Sequence, residues 1–213
     1  MKIIGISAFF HDSSASLIVD GKILNAVQEE RFTRIKHDSS FPINSIKFLL
    51  NENNLNIDQI DNFVFYEKPL IKLERILETH LSEFPFGLSN YMKSISVWMK
   101  EKLFIKNIII KNLRKISNKF NKNKLLFVEH HLSHAASAFY PSPFSKALIL
   151  TVDGVGEWST TTLSIGNKNH IEIIKEINFP HSLGLLYSSF TYYLGFKVNS
   201  GEYKVMGLAP YGK

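Results

Sequence analysis

Two stretches of the sequence pass through the same order of segments, three β-patterned runs and then a helix-patterned one. That repetition constrains the fold more than any single motif. In the first pass "KIIGISAF" is apolar and β-rich, "SASLIVD" alternates, and "KILNAVQEE" follows a turn at Asp20-Gly21, a strong hairpin signal. "FPINSIKFLLNENNL" enters on a proline and sets Ile43, Ile46, Leu49 and Leu50 at helical spacing. "IDNFVFYE" reads as a fourth strand, Pro69 to Lys122 as helical with a break near Pro85-Phe86-Gly87, and "KLLFVEH" as a fifth strand. A histidine-bearing helix follows and stops at Pro141-Ser142-Pro143. In the second pass "KALILTVDG", "GEWSTTTLSIG" and "HIEIIKEINF" are strands, and "SLGLLYSSFTYYLG" is a helix closed at Gly195.

Two tandem units of this kind describe an α/β fold of actin-like ATPase (ribonuclease-H-like) lobes. The first lobe, residues 1–145, is expected to be complete with a helical insertion at about 69–122; residues 146–213 begin a second lobe that is truncated. An isolated three-strand meander with one helix makes a poor core. The chain is therefore expected to be the front part of a longer protein. The alternative is a short chain completed by a partner subunit.

Composition narrows the function classes. Cysteine is absent from the 213 residues, so there is no disulfide framework and no thiolate metal site. No apolar run approaches the ~18 residues of a membrane span, and "MKIIGISAFFHDSSAS" turns polar too soon for a signal peptide. A cytoplasmic protein with no membrane partner is expected. The formal net charge is +6, but nine Lys/Arg against one Glu sit within Lys100 to Lys124. That run reads first as a solvated helix face, so no nucleic-acid partner is expected.

Four segments carry candidate chemistry. The loop "SAFFHDSSAS" offers His11, Asp12, Ser13 and Ser14 between two strands. His11 suits acid–base work, since free imidazole titrates near ~6.5, and the hydroxyls suit phosphate. As a plain hairpin turn the same loop would need nothing more than local hydrogen bonds. At the matching point of the second pass, "TVDGVGEWSTT" places Asp153, Gly154 and Gly156 at a strand end. A carboxylate there can hold a metal or orient a nucleophile, and the bland alternative is a turn. "NSGEYKVMGLAPYG" has no period and reads as a loop, with Glu202 and Lys204 as its charged groups.

The fourth segment is "EHHLSHAASAFY". On a helix His130 and His134 are four apart and share a face, while His131 points about 100° away. Such a pair can share one metal but needs a further ligand. The alternative is a helix start that uses a histidine as a cap, its alanines packing on a sheet.

Together, "FHDSSASLIVDGKI", "EERFTRIKHDSSFP", "HHLSHAASAFYPSPF", "VDGVGEWSTT" and "GEYKVMGLAPYG" resemble the carbamoyltransferases of nodulation-factor and antibiotic biosynthesis. The resemblance implies transfer of a carbamoyl group from carbamoyl phosphate, through a carbamoyl-adenylate made with ATP, to a hydroxyl of a sugar or small metabolite. It implies that a C-terminal YrdC-like domain, absent from this chain, makes the adenylate. It also implies kinship with the metal-binding subunit of tRNA threonylcarbamoyladenosine synthesis.

By the same resemblance His130 and His134 bind a divalent metal, iron with zinc as the alternative, and a third Asp ligand lies beyond Lys213. His11, Asp12 and Lys36 serve the carbamoyl group. Asp153, Gly154 and Gly156 form a second phosphate loop. The chain alone is then expected to be inactive or to bind metal weakly. A non-catalytic metal- and nucleotide-binding scaffold acting with a partner subunit is the competing reading. A sugar kinase of the same architecture fits less well, because it has no use for the histidine pair.

Overall fold

The computed structural model describes residues 1–82, 84 and 104–212, and the break expected at Pro85-Phe86-Gly87 lies outside them. The chain divides into two compact units, Met1–Val128 and Glu129–Lys213.

The first unit is built on a mixed five-stranded sheet. Strands β1 (Lys2–Ser7), β2 (Ser14–Val19) and β3 (Lys22–Gln28) form the antiparallel meander, turning at Asp20-Gly21. A one-turn helix α1 (Glu30–Thr33) and α2 (Ile43–Glu52) lead to β4 (Asn62–Phe65), which pairs parallel to β1. Helices α3 (Pro69–Ser82) and α4 (Ile105–Arg114) precede β5 (Leu125–Phe127), parallel to β4, so the sheet order is β3-β2-β1-β4-β5.

Period decides the core. Ile4 and Ile6 alternate inward on β1, as do Phe63 and Phe65 on β4. On α2 the buried residues are Ser45, Ile46, Leu49 and Leu50, and on α4 they are Ile105, Ile109, Ile110 and Leu113, one stripe on each helix. The buried carboxylate of Glu29, at the end of β3, locks α2 in place. It accepts hydrogen bonds from the backbone N–H and side-chain amide of Asn44 (3.1 and 2.8 Å) and from the N–H and hydroxyl of Ser45 (2.8 and 2.7 Å). These satisfy amides that the first turn of a helix leaves without intrahelical partners.

The second unit opens with α5 (His130–Phe139). The antiparallel meander β6 (Lys146–Val152), β7 (Ser159–Asn167) and β8 (His170–Asn178) follows, then α6 (Leu183–Tyr193) and α7 (Glu202–Leu208). Sequence order had grouped the histidine helix with residues 1–145. In the structure the compact units divide at Val128/Glu129, because Ala135 and Phe139 of α5 pack against Ala147, Ile149 and Ile171 of this sheet.

The segment expected as a loop also differs: it holds α7 and a 3₁₀ turn at Ala209–Tyr211. Its helix is nucleated locally, the Glu202 carboxylate accepting from the N–H groups of Asn199 (2.8 Å) and Gly201 (3.2 Å). Hydrophobic period does not register a local bond of that kind. Among the described residues no helix is long and apolar enough to cross a membrane.

Candidate metal centre and catalytic loop

In the second unit the first turn of α5 faces the end of β6. Glu129, at the N-cap, makes no side-chain cap; the buried carboxylate of Glu157 accepts the backbone N–H of His130 instead, at 3.0 and 3.2 Å. An acidic group there is favoured by the positive end of the helix dipole. Anchored in this way, His130 and His134 project from one face, with Nε2 atoms 3.0 Å apart.

Asp153, the residue after β6, meets them. Its Oδ2 is 2.6 Å from Nε2 of His130 and 3.6 Å from Nε2 of His134. The candidate ligand atoms of the three residues all lie within 4.8 Å of one another. Two imidazole nitrogens and a carboxylate oxygen converging in this way are a donor set suited to iron or zinc. The hydrogen bond to His130, then that to His134, holds the Asp153 carboxyl far below the usual carboxylate range against the opposing effect of burial. The carboxylate is therefore ionised, as a ligand must be.

His131 turns the other way. Its Nδ1 lies 2.7 Å from the Thr151 hydroxyl, which lies 2.6 Å from that of Thr162 on the neighbouring strand. Burial pushes its imidazole below the ordinary value, so the ring is a neutral anchor between helix and sheet.

Two glycines make the approach possible. A Cβ on Gly156 would stand 2.9 Å from Cδ2 of His131 and 3.2 Å from Cβ of His130. One on Gly184, in the first turn of α6, would stand 2.4 Å from the carbonyl oxygen of Asp153. Ser182 completes the clasp: its hydroxyl donates to the carbonyl of Gly154 (2.6 Å) and accepts from the N–H of Leu185 (3.0 Å). The amides expected to greet a phosphate are engaged within the loop, Gly154 N–H on Asp153 Oδ1 (2.6 Å) and Gly156 N–H on the Ser159 carbonyl (2.9 Å).

In the first unit the loop between β1 and β2 brings His11 and Asp12 together. Nδ1 of His11 lies 2.8 Å from Oδ2 of Asp12, and Nδ1 of His37 lies 3.0 Å from Oδ1 of the same carboxylate. Lys36 sits beside His37 in an exposed turn. Ser13 is fully buried, and Ser14, half-buried, is the first residue of β2. In the second unit, the Glu202 carboxylate is occupied by the backbone N–H groups of Asn199 and Gly201, and the Lys204 ammonium lies over the rings of Phe196 and Tyr203 (5.8 and 6.0 Å). Neither belongs to the three-residue cluster.

The residues alone allow Asp153 to hold a metal or orient a nucleophile, and the resemblance assigns it to a phosphate loop with the third ligand beyond Lys213. The fold places Asp153 beside the histidine pair as a third candidate ligand within the chain. Glu157, Ser182, Gly184 and His37 were not singled out at all. For His37 a signal existed, since it stands next to Lys36 in "RIKHDSS". For the others only the hairpin and helix packing reveal the role.

A strand-end aspartate facing two histidines on one helix, in a mixed α/β chain, defines a candidate metal-binding protein. The model of the carbamoyltransferase N-terminus family matches residues 2–213. An uncharacterized protein of Synechocystis, sll1178, is 56% identical over 213 residues, which is 99% of this chain and 35% of that protein. The nodulation protein NolNO of Sinorhizobium fredii is 34% identical over 209 residues, 97% of this chain and 28% of that protein. The nodulation protein NolO of Bradyrhizobium diazoefficiens is 41% identical over 87 residues, 40% of this chain and 15% of that protein. The chain belongs to the carbamoyltransferase N-terminus family. It spans 28–43% of the length of four curated relatives that match it along most of its length.

Proposed function

We propose that this chain is the N-terminal part of an O-carbamoyltransferase. The enzyme moves a carbamoyl group from carbamoyl phosphate, through carbamoyl-adenylate, to a hydroxyl of a sugar or small metabolite. The observation that carries the reading is the His130–His134–Asp153 cluster in a chain of this family. The strand order of the first unit and the repeated meander support two actin-like lobes. A cytoplasmic location, where ATP is available, fits this chemistry.

His130, His134 and Asp153 would hold a divalent metal, iron by resemblance and zinc as the alternative. When bound it supplies positive charge to a phosphate-bearing co-substrate and polarises a carbonyl. His11 is the proton acceptor. Its Nε2 takes the proton of the acceptor hydroxyl as that oxygen bonds to the carbamoyl carbon. The bond from that carbon to the adenylate phosphate oxygen breaks, and AMP leaves. A positioned base of this kind contributes about 10²–10⁴-fold. Lys36, exposed on the adjoining turn, supplies a positive charge for the carbamoyl oxygen or the phosphate. Adenylate formation belongs to the YrdC-like domain outside this chain.

The test uses the full-length protein with carbamoyl phosphate labelled in its carbamoyl carbon, ATP and a panel of sugar and small-metabolite hydroxyls. Label on the acceptor, with release of AMP, pyrophosphate and the orthophosphate of carbamoyl phosphate, is expected, and His11→Ala should lose it. Full transfer by His11→Ala would overturn the role of His11. Metal binding without transfer to any acceptor would favour the scaffold that acts with a partner subunit.

A further inference from the structure

We infer that His37 is a positioning residue that, acting through Asp12, holds the His11 ring with Nε2 as its proton-accepting nitrogen. This rests on the reading of His11 as the base, and it adds a residue which that reading does not contain.

The geometry is a carboxylate clamped from both sides. Asp12 offers Oδ2 to Nδ1 of His11 at 2.8 Å and Oδ1 to Nδ1 of His37 at 3.0 Å. An ionised carboxylate can only accept hydrogen bonds, so each Nδ1 must carry its hydrogen. In a neutral ring that leaves Nε2 with the lone pair. Free histidine favours the opposite tautomer, so the clamp selects the form that a base needs.

The backbone around the clamp is held in place at a cost. Asp12 (φ 49°) and His37 (φ 58°) both lie in the left-handed region. Residues there are strained and persist only where their surroundings enforce them. Here the surroundings do so. Phe9 N–H donates to the Ser39 carbonyl (2.9 Å), Ser13 N–H to the Asp38 carbonyl (2.8 Å), and His37 N–H to Oε2 of Glu30 (3.1 Å). The two loops are thus stitched on either side of the Asp12–His37 bond.

With His37 removed, Oδ1 of Asp12 loses its side-chain donor, and the half-buried carboxylate and the His11 ring are free to rotate together. His37 is also the foremost cause of the lowered Asp12 carboxyl, ahead of His11. That ordering fits a carboxylate held principally from the His37 side.

The test reads tautomers directly. In the 213-residue chain labelled with ¹⁵N-histidine, long-range ¹H–¹⁵N spectra at pH 8 should show both His11 and His37 protonated at Nδ1. His37→Phe should return His11 to a mixture dominated by Nε2–H. His37→Asn, whose side-chain amide can donate from the position of Nδ1, should restore the Nδ1–H form.

An Nε2–H ring at His11 in the unaltered chain would overturn the inference, as would a His11 tautomer indifferent to His37→Phe. In the full-length protein His37→Phe should lower kcat by about 10- to 100-fold with the acceptor KM little changed, a share of what a positioned base contributes. His37→Asn should recover most of it. Absence of transfer by the unaltered protein would count against the transferase reading, while the tautomer result would still decide the role of His37.

Discussion

Nε2 of His130 stands 2.6 Å from Oδ2 of Asp153, although 23 positions separate the two residues. The carboxylate comes from a strand end and the imidazole from a helix start, so the fold itself closes the cluster. This bears on metal binding by the chain as it stands. Asp153→Asn and His134→Ala should each weaken binding of Zn(II) or Co(II) to the 213-residue chain. The loss should be at least the roughly 10–100-fold that follows removal of a mere outer partner of a ligand. Titration calorimetry or Co(II) absorption measures it. Unchanged affinity in Asp153→Asn would show that the carboxylate is not a ligand.

Gly156 has no room for a side chain. Its would-be Cβ meets His131 at 2.9 Å and His130 at 3.2 Å, and both rings are held, one by Thr151 and the other by Asp153. Gly156→Ala should therefore displace the β6–β7 hairpin from α5. Overpacking of this kind costs about 1–3 kcal/mol. Urea unfolding should register that loss, and the same variant should bind metal more weakly than the unaltered chain. A variant as stable as its parent, with undiminished metal binding, would mean that the hairpin yields at no cost.

Much of the fold was legible because it rests on period. Alternation marks β2, the helical spacing of Ile43, Ile46, Leu49 and Leu50 marks α2, and Asp20-Gly21 marks the hairpin between β2 and β3. What escaped has no period. The Glu202 carboxylate folds back on the N–H groups of Asn199 and Gly201 ahead of its helix, and hydrophobic spacing does not record that. The site divided in the same way. His130 and His134 are visible as a pair because i,i+4 is a local relation. Asp153 is legible as a strand-end carboxylate able to hold a metal, but not as the partner of this pair, since that partnership depends on a helix docking on a different strand. Gly184 and Ser182 are further removed still, because they matter only through the carbonyls of Asp153 and Gly154.

Glu29 is expected to be a costly truncation in the first unit. Its carboxylate is buried and serves four donors on Asn44 and Ser45 at the start of α2. Hydrogen bonds to a charged group contribute about 1.5–3 kcal/mol each, and an orphaned buried donor costs about as much. Glu29→Ala should therefore destabilise the chain by about 3 kcal/mol in denaturant unfolding. Ser45→Ala, which removes one donor to that carboxylate, should cost about 1.5 kcal/mol. The double variant should lose less than the sum, because both changes break the same bond. Strict additivity would show that Ser45 and Glu29 act independently.

Acid should loosen the loop that carries His11. The Asp38 carboxyl is held below its ordinary value first by the backbone N–H of Ser40, then by the Ser40 and Thr33 hydroxyls. The Asp38 carbonyl in turn accepts the N–H of Ser13 at the end of the His11–Asp12 loop. A carboxylate with a depressed folded-state value favours the folded state at pH above its unfolded value of about 3.9. As pH falls through the lower folded value, the unfolded chain has already taken up the proton and the folded chain must follow, so that contribution disappears. Asp38→Asn should consequently be less stable than its parent at pH 7, and the difference should narrow below about pH 4. Urea unfolding of both proteins between pH 7 and pH 3 checks this. A difference that stays constant across that range would assign the loss to packing rather than to the charge on Asp38.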